Sequence, residues 1–314
     1  MITYLVRRLG SLVATMLVVG IVVFFVVRSV PGDVTSALLG QDATPQQIAD
    51  LRERLNLDQP VPAQFVAWFG GIVTGDLGNS IYMRMPVIKA IQQRIEPTGM
   101  LALTASVVAI LLGITLGVIA AVKHGTFIDY VVMVVAMLGL SLPTFWLGLL
   151  MIMLFAVTLQ WLPAAGYAPL ADGPVNTLRY LVMPAVALGF SQAAVIARMT
   201  RSSVLDTLGE DFVRTARSKG LAPRRVVLRH ALRNAMIPVL TVIGLSVATL
   251  AGGVVVTETV FNIPGAGRLV IESVQRRDYP VIQGAVIAVA LVYAAINLLV
   301  DLSYLALDPR VRYA

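Results

Sequence analysis

The sequence predicts an all-α integral membrane protein with six transmembrane helices. Three observations lead there. Of 314 residues, 58% are hydrophobic and 13% charged, against roughly 45–50% and 25% in a soluble domain. Six stretches approach the ~20 mostly apolar residues that a bilayer crossing requires. The basic residues gather between those stretches rather than within them. A pI near 10.0 would suit nucleic acid only if the bases formed one exposed face; interleaved with spans, they orient a chain in a bilayer instead, so nucleic acid is not an expected partner. The absence of cysteine excludes disulfides, thiolate metal sites and cysteine nucleophiles.

The first span, residues 9–27, begins after Arg7 and Arg8. That start resembles a signal peptide, but the apolar run is too long and "RSVPGD" follows it in place of a small-residue cleavage site, so the span is expected to be retained. Residues 28–97 form an external helical segment. In "TPQQIADLRERLNL" Thr44 is a fitting N-cap, Pro45 the first helical residue and Gln47 the partner of a capping box. Ile48, Leu51 and Leu55 share one face, and "DQPVP" ends the helix. A second helix places Phe65, Trp68, Phe69 and Ile72 at spacings of three and four. This segment reads either as a helical cap on the membrane interface, where Trp is favoured, or as a docking surface for an external partner.

Five more spans follow, at 98–122, 130–159, 180–197, 237–257 and 281–301, as one five-span core. Pro143, in "SLPTFWLG", interrupts the third and Pro184 the fourth; broken helices are one way to line a cavity, which makes Pro143 a candidate pathway residue. Small residues recur every fourth position in the second span (Ala105, Ala109, Gly113, Gly117, Ala121) and the fifth (Gly244, Ala248, Gly252), and such stripes let helix backbones approach closely. With both termini inside, the inner segments hold fourteen Lys/Arg against six acids, and the outer segments ten against eleven. Lys/Arg excess marks the cytoplasmic face. The expected topology therefore has cytoplasmic termini and a cytoplasmic loop at 198–236.

The spans contain almost no ionisable residues, although ion- or proton-driven transport and intramembrane catalysis rely on them. Asp301 sits at an inner end. Glu258, flanked by Thr257 and Thr259 near the outer end of the fifth span, is the candidate for contact with an arriving cargo cation; pairing with Arg268 or Arg276 is the competing reading. His124 and His230 lack a second ligand at metal spacing, and no phosphate-binding loop or metalloprotease motif occurs. No catalytic residue, metal site or resident cofactor is expected, and any energy source lies on another chain.

The loop from 198 to 236 collects nine basic residues. "GEDFVRTARSK" reads as a short helix with acids near its start and bases near its end, which suits the helix dipole. Gly220 supplies a left-handed stop and Pro223 opens a second helix. There Arg225, Arg229 and Arg233 fall on one face, opposite Val227, Leu228, Ala231, Leu232 and Ala235. Anionic lipid accounts for the arginine ladder. The first helix, a compact acid–base element with a glycine joint between two spans, is built to fit another protein.

At this loop the sequence resembles the dipeptide/oligopeptide permeases of bacterial ABC importers, specifically the first of the two permease subunits. "DFVRTARSKGL" and "RHALRNA" are similar to that subfamily's coupling loop, although Arg214-Thr215-Ala216, His230, Leu232 and Arg233 depart from the general importer motif. "PGD" (31–33), "LDQPVPAQFVAW" (57–68), "GDLGNS" (75–80), "SLPTFWLGLL" (141–150), "TETVFNIPGAGRL" (257–269), "RDYPVIQG" (277–284) and "DPRVR" (308–312) resemble family signatures in family order. The resemblance implies a multi-pass protein of the bacterial inner membrane. It further implies a second permease subunit, two cytoplasmic ATPase subunits that bind ATP and Mg, an external peptide-binding protein, and transport by alternating access. Coupling would fall to Glu210, Asp211, Arg214, Thr215, Ala216, Arg217, Lys219 and Gly220. Nickel and glutathione are alternative cargoes. A membrane scaffold whose basic loop binds lipid or nucleic acid is the alternative of a different class.

Overall fold

A computed structural model of the protein describes residues 2–29, 44–54 and 58–307. The signatures at 31–33 and 308–312, with Arg310 and Arg312, lie outside the described residues, as does the part of the 57–68 signature at residue 57. So do Leu55 and the side chains of Ile48 and Leu51. No strand forms among the described residues; one isolated bridge joins Asn79 to Pro86. The helices are α1 (Ile2–Ser29), α2 (Pro45–Arg54), α3 (Val61–Thr74), α4 (Val87–Val122), α5 (Phe127–Ser141), α6 (Thr144–Met151), α7 (Pro174–Leu208), α8 (Asp211–Ser218), α9 (Leu232–Val260), α10 (Ala266–Gln275) and α11 (Tyr279–Leu307). A helical turn at Pro223–Arg225 and a π-helical stretch at Val226–Ala231 lead into α9. The capping box forms: Thr44 N–H donates to Gln47 Oε1 at 3.0 Å and Gln47 N–H to Thr44 Oγ1 at 3.3 Å.

Among the described residues five helices are long and apolar enough to cross a membrane, and a bent pair brings the number to six. That pair is the expected third span, interrupted at Pro143 as its sequence indicates. α5 and the helix running from Thr144 to Thr158 meet at 107°, because Pro143 follows Leu142, whose N–H makes the last helical bond to Leu138. Proline lacks an N–H and forces the preceding residue out of helical geometry; Leu142 has ψ 128°. The expected break at Pro184 does not occur, since α7 runs through it.

The chain divides into two compact units, one of residues 1–96 and 265–294, the other of 97–264 and 295–314. In the first, Val87, Ile91, Leu269, Val281 and Ala285 form a buried core. A turn at 80–82 is capped by the Asp278 carboxylate, which accepts from the Ser80 hydroxyl and from the amides of Ile81 (3.3 Å) and Tyr82 (3.1 Å). A Cβ on Gly284 would lie 2.6 Å from Val87 Cγ1. The sequence signatures "GDLGNS" and "RDYPVIQG" are thus the two halves of one joint.

In the second unit the small-residue stripe of α4 is buried against α7. A Cβ on Gly189 would fall 2.6 Å from the Ala105 carbonyl oxygen; on Gly113, 2.6 Å from Ile196 Cβ; on Gly117, 2.6 Å from the Ala197 carbonyl oxygen. These pairs advance together along both helices, so α4 and α7 run parallel. The chain between them must therefore return across the bundle, which makes the bent pair one crossing. α9 runs antiparallel to both: Ala235 near its start packs with Ala121 and Val204, and Glu258 near its end bonds Thr98. Leu101, Leu181, Leu188, Leu250, Val254 and Ile263 fill the space between the three helices.

The stripe on α9 behaves differently. Ala248 is buried and Gly244 half-buried, but Gly252 is exposed, with nothing within 4 Å of a built Cβ. Gly113→Leu should therefore destabilise the purified protein in detergent by about 1–3 kcal/mol, read as a lower thermal unfolding midpoint, whereas Gly252→Leu should leave the midpoint of the isolated chain unchanged. Equal midpoints for wild type and Gly113→Leu would contradict the α4–α7 approach.

Candidate functional site

α7 ends at Leu208, and Gly209 and Glu210 turn the chain into α8, with Glu210 in the extended N-cap position (ψ 150°). α8 has eight residues, too few to be stable alone in water. It is held by its inner face: Val213 and Ala216 are buried against Val226, with Leu208 and Leu221 packed alongside. The end is a Schellman motif. Gly220 adopts φ +75°, its N–H donates to the Arg217 carbonyl at 2.9 Å, and Leu221 N–H donates to the Ala216 carbonyl at 3.3 Å. Glycine is needed because a side chain at that φ is strained. The result is a foot fixed at three points: the end of α7, the lead-in to α9 and its own cap.

Burying Val213 and Ala216 decides what the foot presents. Glu210, Asp211, Arg214, Thr215, Arg217, Lys219 and Gly220 are all exposed. Ala216 is the exception among the expected coupling residues: it is turned inward and forms part of the foot's core. Arg214 donates to Asp211 at 3.2 Å along the outer face, an exposed pair that contributes little to stability. Sequence reasoning missed Phe212, which is 42% exposed beside these charges. Spacing alone does not find it, because Phe212 stands one turn before the buried Ala216 and flanks the same face. Arg225, Arg229 and Arg233 are likewise exposed.

One loop arginine is already committed. Arg201 lies on α7, and its Nε and Nη2 donate to the two oxygens of Asp129 at 2.6 and 2.8 Å. Asp129 is buried, and it also accepts from the Gly125 amide at 3.0 Å. His124 Nδ1 lies 3.2 Å from the same carboxylate and 3.0 Å from Arg201. This bidentate pair ties the turn after α4 to α7. His124 is a structural contact there.

The candidate pathway residues lie elsewhere. Glu258 is 0% exposed and accepts from the Thr98 hydroxyl at 2.6 Å; Thr257 is also buried. The expected carboxylate at an aqueous vestibule is, in this conformation, a buried brace between α4 and α9. Pro143 is exposed at the α5–α6 bend. Gly113 and Gly117 are helix-packing residues as expected, and Gly244, Ala248 and Gly252 do not form one continuous contact within the chain. Among the described residues no cluster of His, Asp or Glu is arranged to hold a metal ion.

Residues 113–313 match the family described as the binding-protein-dependent transport system inner membrane component, and residues 1–102 match its N-terminal counterpart. A probable peptide ABC transporter permease protein of Sinorhizobium fredii is 43% identical over 310 residues, covering 99% of each chain. A glutathione transport system permease protein of Salmonella choleraesuis is 43% identical over 313 residues, covering 100% of each. A chain of the inward-facing MetNI methionine ABC transporter has a similar fold, with a TM-score of 0.55 and 17% identity over 70% of this chain and 97% of that one. The chain belongs to the binding-protein-dependent transport system inner membrane component family. It is a multi-pass inner-membrane permease of an ABC importer.

The Schellman cap yields a direct test. A β-branched residue at Gly220 must leave the left-handed region or remain strained in it, at a cost of about 1–2 kcal/mol or more. Gly220→Val should therefore speed tryptic cleavage after Arg217 and Lys219 and raise amide exchange across 211–221. Gly220→Asn, which tolerates that region, should stay near wild type. Indistinguishable cleavage of Gly220→Val and wild type would remove the cap from this account.

Proposed function

We propose that this permease carries di- or oligopeptides inward from an external binding protein, paired with a second permease subunit and driven by two cytoplasmic ATPase subunits. The observation that carries the reading is the foot. A buried apolar side fixes α8 to the ends of two long helices, while its outer side offers Phe212, Arg214, Arg217 and Lys219. Such a face fits a groove on an ATPase: an aromatic side chain supplies the buried anchor and arginines supply charge-assisted bonds. ATP and Mg are bound by those partner subunits, and this chain performs no hydrolysis. Closure of the ATPase pair would press on α8 and be transmitted through Leu208 and Val226 into α7 and α9, switching the bundle between inward and outward access.

Relatives that carry the words peptide and glutathione in their names support a peptide-bonded cargo. Cargo contact at Glu258 requires Thr98 and α9 to part first, so its present role is to brace α4 against α9. The excess of Lys/Arg on the side of the foot supports cytoplasmic termini and an external segment at 28–97.

Two experiments test this reading. With the assembled complex in vesicles, Arg217→Glu and Phe212→Ala should insert normally yet lower binding-protein-stimulated ATP hydrolysis and peptide uptake by at least about tenfold, as loss of an interface anchor worth ≥2 kcal/mol implies. Arg229→Glu should have a much smaller effect; equal loss from Arg229→Glu, with Arg217→Glu fully active, would favour a lipid-binding loop instead. For sidedness, single cysteines at Asp50 and Ser218 of this cysteine-free chain are treated with an impermeant maleimide in spheroplasts. Labelling is expected at Asp50 and not at Ser218, and the reverse pattern would overturn the orientation.

A further inference from the structure

α3 is the one apolar helix of ten to seventeen residues among those described that is too short to cross a membrane. From Gln59 through Gly75 the chain carries no charged side chain, with Asp58 before and Asp76 after. One side of α3 is settled by its contacts with α1. Arg28 Nε and Nη2 donate to Gln64 Oε1 at 3.2 and 2.8 Å. Phe24 meets Phe65 with ring centroids 5.1 Å apart and Trp68 at 5.4 Å. A Cβ on Gly20 would lie 3.8 Å from the far edge of the Trp68 ring.

These contacts fix a depth. The uncharged part of α1 runs from residue 9 to residue 27, about 28 Å at ~1.5 Å per residue, so Arg8 and Arg28 mark the two edges of a ~30 Å hydrocarbon layer. The Arg28 guanidinium folds back 3.6 Å over the Phe24 ring, where Gln64 accepts from it. Gly20 lies eight residues inward, roughly 12 Å from that edge. The same Gly20 Cβ would lie 3.8 Å from Ile287, eight residues inside the start of α11, which places Gly20 at a similar depth on a second span. The Trp68 ring therefore reaches roughly 12 Å into the layer, and the axis of α3 lies some 5–10 Å in, the depth of an interfacial helix.

The other side of α3 is open. Val66 is 69% and Val73 73% exposed, with exposed Ala63, Ala67 and Gly70 completing the face. α1, on which α3 packs, likewise exposes Val18, Val22, Phe25 and Val26, an apolar surface suited to lipid. The end of α3 is also suited to an apolar setting, where unpaired carbonyls are costly. Thr74 Oγ1 donates to the carbonyls of Gly70 and Gly71, and Gly75 and Asp76 N–H donate to Ile72 and Gly71.

We propose that α3 is bedded in the leaflet at the C-terminal end of α1, with its Val66–Val73 face in contact with lipid acyl chains. Trp68, the residue that a sequence reading assigns to the headgroups, is instead the pin that holds the helix against α1. The seat does not depend on the cargo or on the coupling role of α8. With the sidedness proposed above, the leaflet is the outer one.

The test uses the assembled permease–ATPase complex in lipid nanodiscs. Single spin labels are placed through cysteine at Val66 and Val73, with Val26 as the lipid-facing reference and Asp50 as the aqueous one, and uptake by each labelled variant confirms assembly. Collision with oxygen should exceed collision with a water-soluble nickel chelate at both α3 positions, as at Val26, with the ratio reversed at Asp50. Nickel-chelate collision matching Asp50 would mean a face open to water or to the binding protein. Low collision with both reagents would mean a face covered by a protein subunit. Either result overturns the proposal, and neither bears on the foot, so failure here is separable from failure of the transport reading.

Discussion

The separation of α4 and α7 is the constraint on which the larger unit depends. Within a bilayer, lipid tails are as apolar as leucine, so helices associate through van der Waals packing and hydrogen bonds rather than through exclusion from water. Dispersion falls steeply with distance, and the side chains at the contact decide how much of it is gained. Gly113, Gly117 and Gly189 remove the atoms that would hold the two backbones apart, since a single Cβ at any of them would fall 2.6 Å from a neighbouring atom. The same approach brings Ala121 and Val204 together to receive Ala235. α9 follows from it, and the Thr98–Glu258 bond closes its far end. Because α8 is fixed to Leu208 on one side and Val226 on the other, its position is set at second hand by three glycines.

Much of this was legible in the sequence, for identifiable reasons. Spans are read from length and apolarity alone, and the second-span stripe showed at a strict four-residue interval. The glycine stop at Gly220 and the Thr44–Gln47 box were legible because caps are local chemistry. The break at Pro143 was legible too; the unbroken helix at Pro184 was not, because the stretch of α7 around it is buried among residues far along the chain, such as Leu101 and Leu250. Gly252 is a similar case: spacing shows which residues share a face, but not whether that face meets this chain or a partner subunit. The inward turn of Ala216 was not legible because the phase of an eight-residue helix depends on Val226, which lies beyond the glycine. Arg201 counted as loop charge until Asp129 was found beside it, 72 residues earlier.

The Asp278 joint links the protein's architecture to the timing of its synthesis. Its carboxylate serves a turn whose first residue, Ser80, precedes it by 198 positions. At roughly 5–20 residues per second, the ribosome adds the residues between them in about 10–40 s. For that interval the hydroxyl of Ser80 and the amides of Ile81 and Tyr82 have no native acceptor, and Val87 has no Gly284 to close against. The first unit is begun at the amino end and completed only when nearly the whole chain has been made. A product truncated before Asp278 would thus emerge with an uncapped turn at 80–82, a feature that quality-control proteases are equipped to find.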